Sequence, residues 1–182
     1  MEKVAAFGLL SLVIVYLSRR TIINIHSHGF YRFLSWECIA WLFASNFRFW
    51  FVNPLGTYQL GSWIFLCFSV YLVTAGITQL KGKGNQKPER AEKNLYGFEK
   101  TSTLVDSGIY KYIRHPMYSS LIFLTWGIFL KNATIELFIA AAASTTCLYI
   151  TSLYDEKECM NYFGNSYHDY MKTSRRFIPF LF

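Results

Sequence analysis

Ser107-Gly108-Ile109-Tyr110-Lys111-Tyr112-Ile113-Arg114-His115-Pro116-Met117-Tyr118 crowds polar, rigid and aromatic residues into the mouth of an apolar run. Pro116 fixes its own φ and pushes His115 out of the α region. The backbone therefore reads as extended up to His115 and helical from Pro116, with proline at the first helical position. A helix that starts this way exposes N–H donors, and those donors with the positive end of the helix dipole suit an anionic or acceptor-rich ligand. Arg114 adds a fixed fork of donors, and His115 a group that donates or accepts near neutral pH. A plainer role is open to Arg114 and Lys111 as well, that of anchoring a helix end among lipid headgroups.

Outward from this stretch, the chain alternates apolar runs with polar connections. Downstream, a fourth span runs from Pro116 to Leu130, Lys131-Asn132 turns, and a fifth span returns from about Ala133 to Tyr154. The two make an antiparallel helical hairpin. Small residues from Ala140 to Thr146 fall in the middle of the fifth span, where helices pack closely. Upstream, Lys81 to Asn94 has no apolar face and reads as a solvated, flexible loop. Before it lie three apolar segments: Val4 to Ser18, stopped by Arg19-Arg20; Phe30 to Phe51, which carries Arg32, Glu37 and Arg48; and Gln59 to Leu80. The charges in the second segment must face protein, a cavity or the interface; Glu37 is a functional candidate, with a structural pairing to Arg32 the favoured reading. His26-Ser27-His28 offers two histidines without a third ligand nearby, so it reads as an interfacial loop and no metal is expected.

At 53% hydrophobic and 19% aromatic residues over 182 positions, with mean hydropathy +0.22, the chain is too apolar for an ordinary soluble domain. It is long enough for only a few membrane spans. The net charge of +7 does not indicate nucleic acid, because the basic residues fall between apolar runs. Most Lys and Arg lie in the connection between spans one and two, in that between three and four, and in the tail. With five spans these share one side, so the positive-inside rule places the N-terminus outside and the Pro116 motif and C-terminal tail on the cytoplasmic face. The four cysteines show no CxxC spacing, which argues against a disulfide framework or a zinc site. The N-terminal run lacks a small-residue cleavage site and reads as a retained helix.

After Tyr154 the chain turns polar but stays helical through Phe163, with Gly164 as its C-cap. Tyr167, Tyr170, Arg175, Arg176 and Pro179 follow, ahead of an apolar Phe180-Leu181-Phe182 end. Together, Gly108-Ile109-Tyr110, Arg114-His115-Pro116-Met117-Tyr118, the hairpin, Glu156, Phe163-Gly164, Tyr167, Tyr170 and Pro179, in that order and spacing, resemble the isoprenylcysteine carboxyl methyltransferase and phospholipid methyltransferase superfamily. The resemblance covers about the last 80 residues.

It implies an all-α polytopic membrane protein of about five transmembrane helices, with a C-terminal hairpin and a cytoplasmic cofactor pocket. Residues 1–80 would hold three spans on the acceptor side, 81–106 a cytoplasmic loop, and 107–182 the methyltransferase core. The implied cofactor is S-adenosylmethionine, touched by Tyr110, Arg114, His115, Pro116, Tyr118, Glu156, Tyr167 and Tyr170, with Arg114 and Glu156 expected at the chemistry. The family often has two glutamates where this chain has Asp155-Glu156, which leaves the role of Asp155 open, and commonly Leu where it has Cys159. The acceptor would be hydrophobic or lipid-like, such as a prenylcysteine carboxylate, a phospholipid amine or a small apolar thiol. It would enter from the bilayer among membrane lipids. Two other readings stand beside this one: a membrane reductase of the steroid-reductase type using NADPH, whose C-terminal helices look similar, and a non-enzymatic protein whose tail binds anionic lipid.

Overall fold

Pro116 starts a helix, as its chemistry dictates. His115 precedes it at φ −122° and ψ 61°, no side chain caps the helix, and proline occupies its first turn. The computed structural model describes residues 1–25, 27–85 and 101–179; His26, most of the charged connection and the last three residues lie outside these. The helices are α1 (Glu2–Ser18), α2 (His28–Asn46), α3 (Thr57–Lys83), α4 (Pro116–Phe129), α5 (Ile135–Phe163) and α6 (Asn165–Thr173), with 3₁₀ turns at Phe47–Phe49 and Gly108–Lys111. Ser27 and Thr134 cap α2 and α5 through their side-chain oxygens. Gly164 ends α5 at φ +61°, in the left-handed region that favours glycine.

Two helices, α3 with 27 residues and α5 with 29, are long and apolar enough to cross a membrane, and α4 is a shorter apolar helix. The second segment ends as α-helix at Asn46, five residues before the expected Phe51. There the Asn46 amide donates to the Ile128 carbonyl at 2.7 Å, and a 3₁₀ turn begins the reversal toward Asn53-Pro54. The α5 helix runs unbroken from its apolar part into the polar 155–163 segment.

The pairing of helices differs from a simple hairpin. Although a tight turn joins α4 to α5, the larger contacts are α4 on α3 and α5 on α2. Small and hydroxyl side chains explain this. Ser62 and Ser69 of α3 donate to the Gly127 and Ser120 carbonyls of α4, each at 2.7 Å, and a Cβ on Gly127 would lie 3.0 Å from Leu66. Ser35 of α2 meets Ser144 of α5 at 2.9 Å beside the fully buried Ala141. Close backbone approach at small residues is what holds apolar helices together where lipid offers no hydrophobic contrast. Ile39, Leu42, Leu66, Ile128, Leu137 and Ala141 fill the centre. The expected tie from Glu37 to Arg32 does not form through Glu37 Oε1, which is buried with no hydrogen-bond partner.

The bundle has two polar ends. At one, Glu2 pairs with Arg48, and Lys131 donates to Gln59. At the other, where α4 begins, His28 meets Glu158 and Lys83 donates to Ser107.

Candidate functional site

The stretch from Ser107 to Tyr118 is folded by three local features. Gly108 turns the chain at φ +62°, a backbone conformation that favours glycine, and a Cβ there would have to displace the end of the Gln79 side chain, 2.5 Å away on α3. The 3₁₀ turn then delivers Tyr110 inward, where it is 6% exposed. Beyond it, residues 112–115 lie parallel to the C-terminal tail. The N–H groups of Arg114 and His115 donate to the Arg175 and Arg176 carbonyls at 2.7 and 3.2 Å, and the Arg175 N–H donates to the Tyr112 carbonyl at 3.0 Å. Ser119 Oγ donates to the Phe177 carbonyl at 2.8 Å, fixing the tail against the first turn of α4.

A hollow of about 670 Å³, counted out to its open mouth, lies here. The α4 start contributes Arg114, His115, Pro116, Met117 and Tyr118; α5 contributes Asp155, Cys159 and Phe163; α6 contributes Tyr167 and Tyr170. Leu80, Thr101, Leu104, Val105 and Tyr110 close the remaining side. Seven of the eight residues expected at the cofactor therefore line one space. The eighth, Glu156, does not: it is 3% exposed and stands behind the wall, and the neighbouring acid Asp155 faces the hollow instead.

Glu156 joins three cations. Its Oε1 accepts from Arg114 Nε at 2.9 Å and Arg176 Nε at 3.1 Å and lies 3.3 Å from His115 Nε2, while Oε2 accepts from Arg176 Nη2 at 2.7 Å. The remaining oxygen capacity is small, and the group acts as the knot between α4, α5 and the tail. Arg114 is committed in the same way: Nη1 donates to the Met171 and Ser174 carbonyls at 3.3 and 2.5 Å, leaving Nη2 without a bond among the described residues.

His115 stands between two carboxylates, Nδ1 at 3.3 Å from Asp155 Oδ2 and Nε2 at 3.3 Å from Glu156 Oε1. A neutral imidazole can donate from only one nitrogen, so both contacts are satisfied together by the imidazolium. Burial opposes that charge, but the bonds to Asp155 and then Glu156 outweigh it and raise the His115 pKa. Its ring also stacks on Tyr118, with centroids 5.3 Å apart. On the far wall Phe163 and Tyr167 stack at 6.5 Å, and Tyr170 OH donates to the Tyr110 carbonyl at 2.6 Å. Burial pushes the phenols of Tyr167 and Tyr170 well up from their ordinary value, so both remain neutral donors.

Besides Asp155 and Phe163, sequence reasoning left Arg176, Cys159 and His28 out of the site. Arg176 was visible as one of a basic pair, yet only the tail's return brings it to Glu156. Cys159 follows Asp155 by one helical turn and so shares its face. His28 of α2 lies 2.9 Å from Glu158 on α5, and His28, Asp155 and Glu158 form the one group among the described residues whose three ligand atoms, all within 4.8 Å of one another, could hold a metal ion. Arg32, one turn on from His28, already supplies positive charge beside it, and the cluster reads as ion pairs.

Comparison with known proteins points the same way as the hollow. Over 73 residues the chain is 30% identical to a methanethiol S-methyltransferase of Pseudomonas deceptionensis, a stretch that is 40% of this chain but only 27% of that protein. No solved structure is significantly similar. The pattern of the phospholipid methyltransferase family matches residues 58–166. That range holds α3, the Arg114-His115-Pro116 start of α4, all of α5 and the Asp155 and Cys159 wall, and by this match over more than half its length the chain belongs to the phospholipid methyltransferase family.

Proposed function

We propose that the chain is an integral membrane methyltransferase that takes S-adenosylmethionine in the hollow beside α4 and passes its methyl group to a hydrophobic or lipid-like acceptor. The observation that carries this reading is the meeting, at one uncapped helix start, of an acid, a guanidinium and an aromatic wall. S-adenosylmethionine presents a carboxylate, an ammonium, ribose hydroxyls, an adenine and a sulfonium, and this set of side chains supplies a partner for each.

In this reading Arg114 Nη2 and the N–H groups of the first turn of α4 receive the carboxylate or the adenine edge. Asp155 receives the ammonium or the ribose hydroxyls. Tyr110, Phe163 and Tyr167 give rings to the adenine or the cation. His115 holds Asp155 in place through its charge, and Glu156 ties the walls together from behind; both position rather than react. The bound cofactor supplies an electrophilic methyl, and the protein's contribution is to hold the acceptor in line with it in a dry site. A carboxylate or thiolate acceptor needs no base, while an amine must first lose a proton. A small thiol, a prenylcysteine carboxylate and a phospholipid amine are the acceptor classes to test, the first supported by the name of the Pseudomonas deceptionensis relative. The distribution of basic residues supports five spans with the hollow and the C-terminus on the cytoplasmic side.

Two measurements test this. Titration of the detergent-purified protein with S-adenosylmethionine gives saturable binding that Asp155→Ala weakens at least tenfold; no binding by the wild type overturns the reading. In a chain with Cys38, Cys67 and Cys147 replaced by serine, saturating cofactor slows alkylation of Cys159 by a maleimide, and an unchanged rate would place the cofactor elsewhere. Incubation of membranes with methyl-labelled cofactor then identifies the acceptor by the fraction that takes the label.

A further inference from the structure

We propose that His28, at the start of α2, is a positioning residue of the cofactor hollow, holding the acidic face of α5 from the side opposite His115. The inference rests on the reading of the hollow as the S-adenosylmethionine site. It concerns a residue that lies outside the 58–166 family match.

Local contacts alone define the backbone at His28. Ser27 Oγ donates to the Asn24 carbonyl at 2.8 Å and accepts the Phe30 N–H at 3.4 Å, so the helix start is capped. Gly29 lies so close to the preceding turn that a Cβ would come within 2.6 Å of Thr21 Cβ, and Thr21 Oγ1 is itself held on the Ser18 carbonyl at 2.9 Å. The turn and the helix start are thus one tight unit, and it carries a histidine that is 0% exposed.

That histidine meets α5 at its charged face. Asp155 and Glu158 are three residues apart and project side by side, where two like charges repel. His28 Nδ1 lies 2.9 Å from Glu158 Oε2 and within 4.8 Å of the Asp155 carboxylate. On the other flank Asp155 Oδ2 is 3.3 Å from His115 Nδ1. Asp155, the acid that faces the hollow, therefore stands between histidines from two different helices, and Glu158 between its neighbour acid and His28. Asp155 stays tied to His115 and to Tyr118 without His28, but the charge of Glu158 is then no longer offset, and its repulsion shifts Asp155 against the ligand. The arrangement makes the α2 start part of the cofactor wall although no atom of His28 lines the hollow.

The full-length protein in detergent, titrated calorimetrically with S-adenosylmethionine and followed by thermal unfolding, tests this. His28→Ala and Glu158→Gln each weaken cofactor binding about tenfold, the worth of one buried hydrogen bond to a charged group. The double variant is no weaker than His28→Ala, because both changes break one pair. His28→Gln, which keeps a donor, recovers most of the affinity. Glu158 is 26% exposed on its side chain, so Glu158→Gln still folds with a lowered melting temperature, and its affinity is read on the folded protein well below that temperature. Wild-type affinity in Glu158→Gln overturns the proposal even where His28→Ala fails to fold, as does a double variant in which the two losses simply multiply. If the wild type binds and both His28→Gln and Glu158→Gln bind equally well, only the role of His28 falls; if the wild type does not bind, the cofactor reading falls with it.

Discussion

Both ends of the bundle bury charge, and they do so in opposite ways. Where α4 begins, Arg114, His115, Asp155, Glu156 and Arg176 form a network in which each charge has an opposite neighbour, and one side of the network opens onto a hollow. Where α4 finishes, Lys131 is 5% exposed, its Nζ 3.4 Å from the Trp63 ring centroid and 5.2 Å from that of Trp50, with the Gln59 Oε1 acceptor at 3.0 Å. No carboxylate pairs with it among the ion pairs of the described residues. Aromatic faces and an amide serve for closing an end, because a single cation can be satisfied by quadrupoles and one acceptor. A ligand site needs both signs of charge held in place before the ligand arrives, which requires several helices to contribute at once.

The strongest test of this contrast is Glu156→Ala. It leaves Arg114 and Arg176 without a carboxylate and His115 with Asp155 alone, and is expected to cost about 3–5 kcal/mol of stability, with cofactor binding lost in consequence. Thermal and denaturant unfolding in detergent measure it, and a variant as stable as wild type would show that Glu156 is not the knot. Asp155→Asn separates site from scaffold: affinity for S-adenosylmethionine falls by about 1.5–3 kcal/mol, as for a lost hydrogen bond to charge, with a smaller change in melting temperature. If stability falls as far as in Glu156→Ala while affinity in the folded fraction holds, the roles of the two acids are reversed.

At the other end, Lys131→Met changes stability by no more than about 1–2 kcal/mol in either direction, since removing a desolvated cation compensates for the lost ring contacts. Cofactor affinity stays at the wild-type value, and a tenfold change would mean that the ends are coupled. The smallest effect is one of pH. The folded protein holds the His115 proton more tightly than the unfolded chain does, where imidazole titrates near about pH 6.5. Protonation therefore stabilises the fold fully below that value, and the contribution disappears as pH rises through the higher folded value. The melting-temperature gap between wild type and His115→Gln should be widest below about pH 6.5 and close at higher pH; a gap that widens with pH would mean that His115 is neutral.

Much of the site was legible because its strongest signals are local. Pro116 dictates where α4 starts, Gly164 where α5 stops, and aromatic and charged residues mark both neighbourhoods without any knowledge of packing. What was not legible is which residues of each helix face inward. Adjacent positions on a helix point about 100° apart, so only one of Asp155 and Glu156 can face the hollow. The choice is made by the rotation of α5 that Ser35, Ser144 and Ala141 fix where α2 packs against it. The role of His28 was hidden for the same reason, since its partner lies 130 residues away; its place at the start of α2 is set locally by the Ser27 cap.

An all-helical chain of apolar segments, the proline-initiated helix, the charged and aromatic composition of the two clusters and their family can all be read from the residues in order. These follow from composition, backbone stereochemistry and spacing, which act over a few residues. Packing in three dimensions was needed to set α4 on α3, to return the tail beside residues 112–115 and bring Arg176 to Glu156, and to turn Asp155 rather than Glu156 into the hollow. Those outcomes depend on how closely two helix backbones can approach and at what rotation, a property of paired surfaces that no single segment carries.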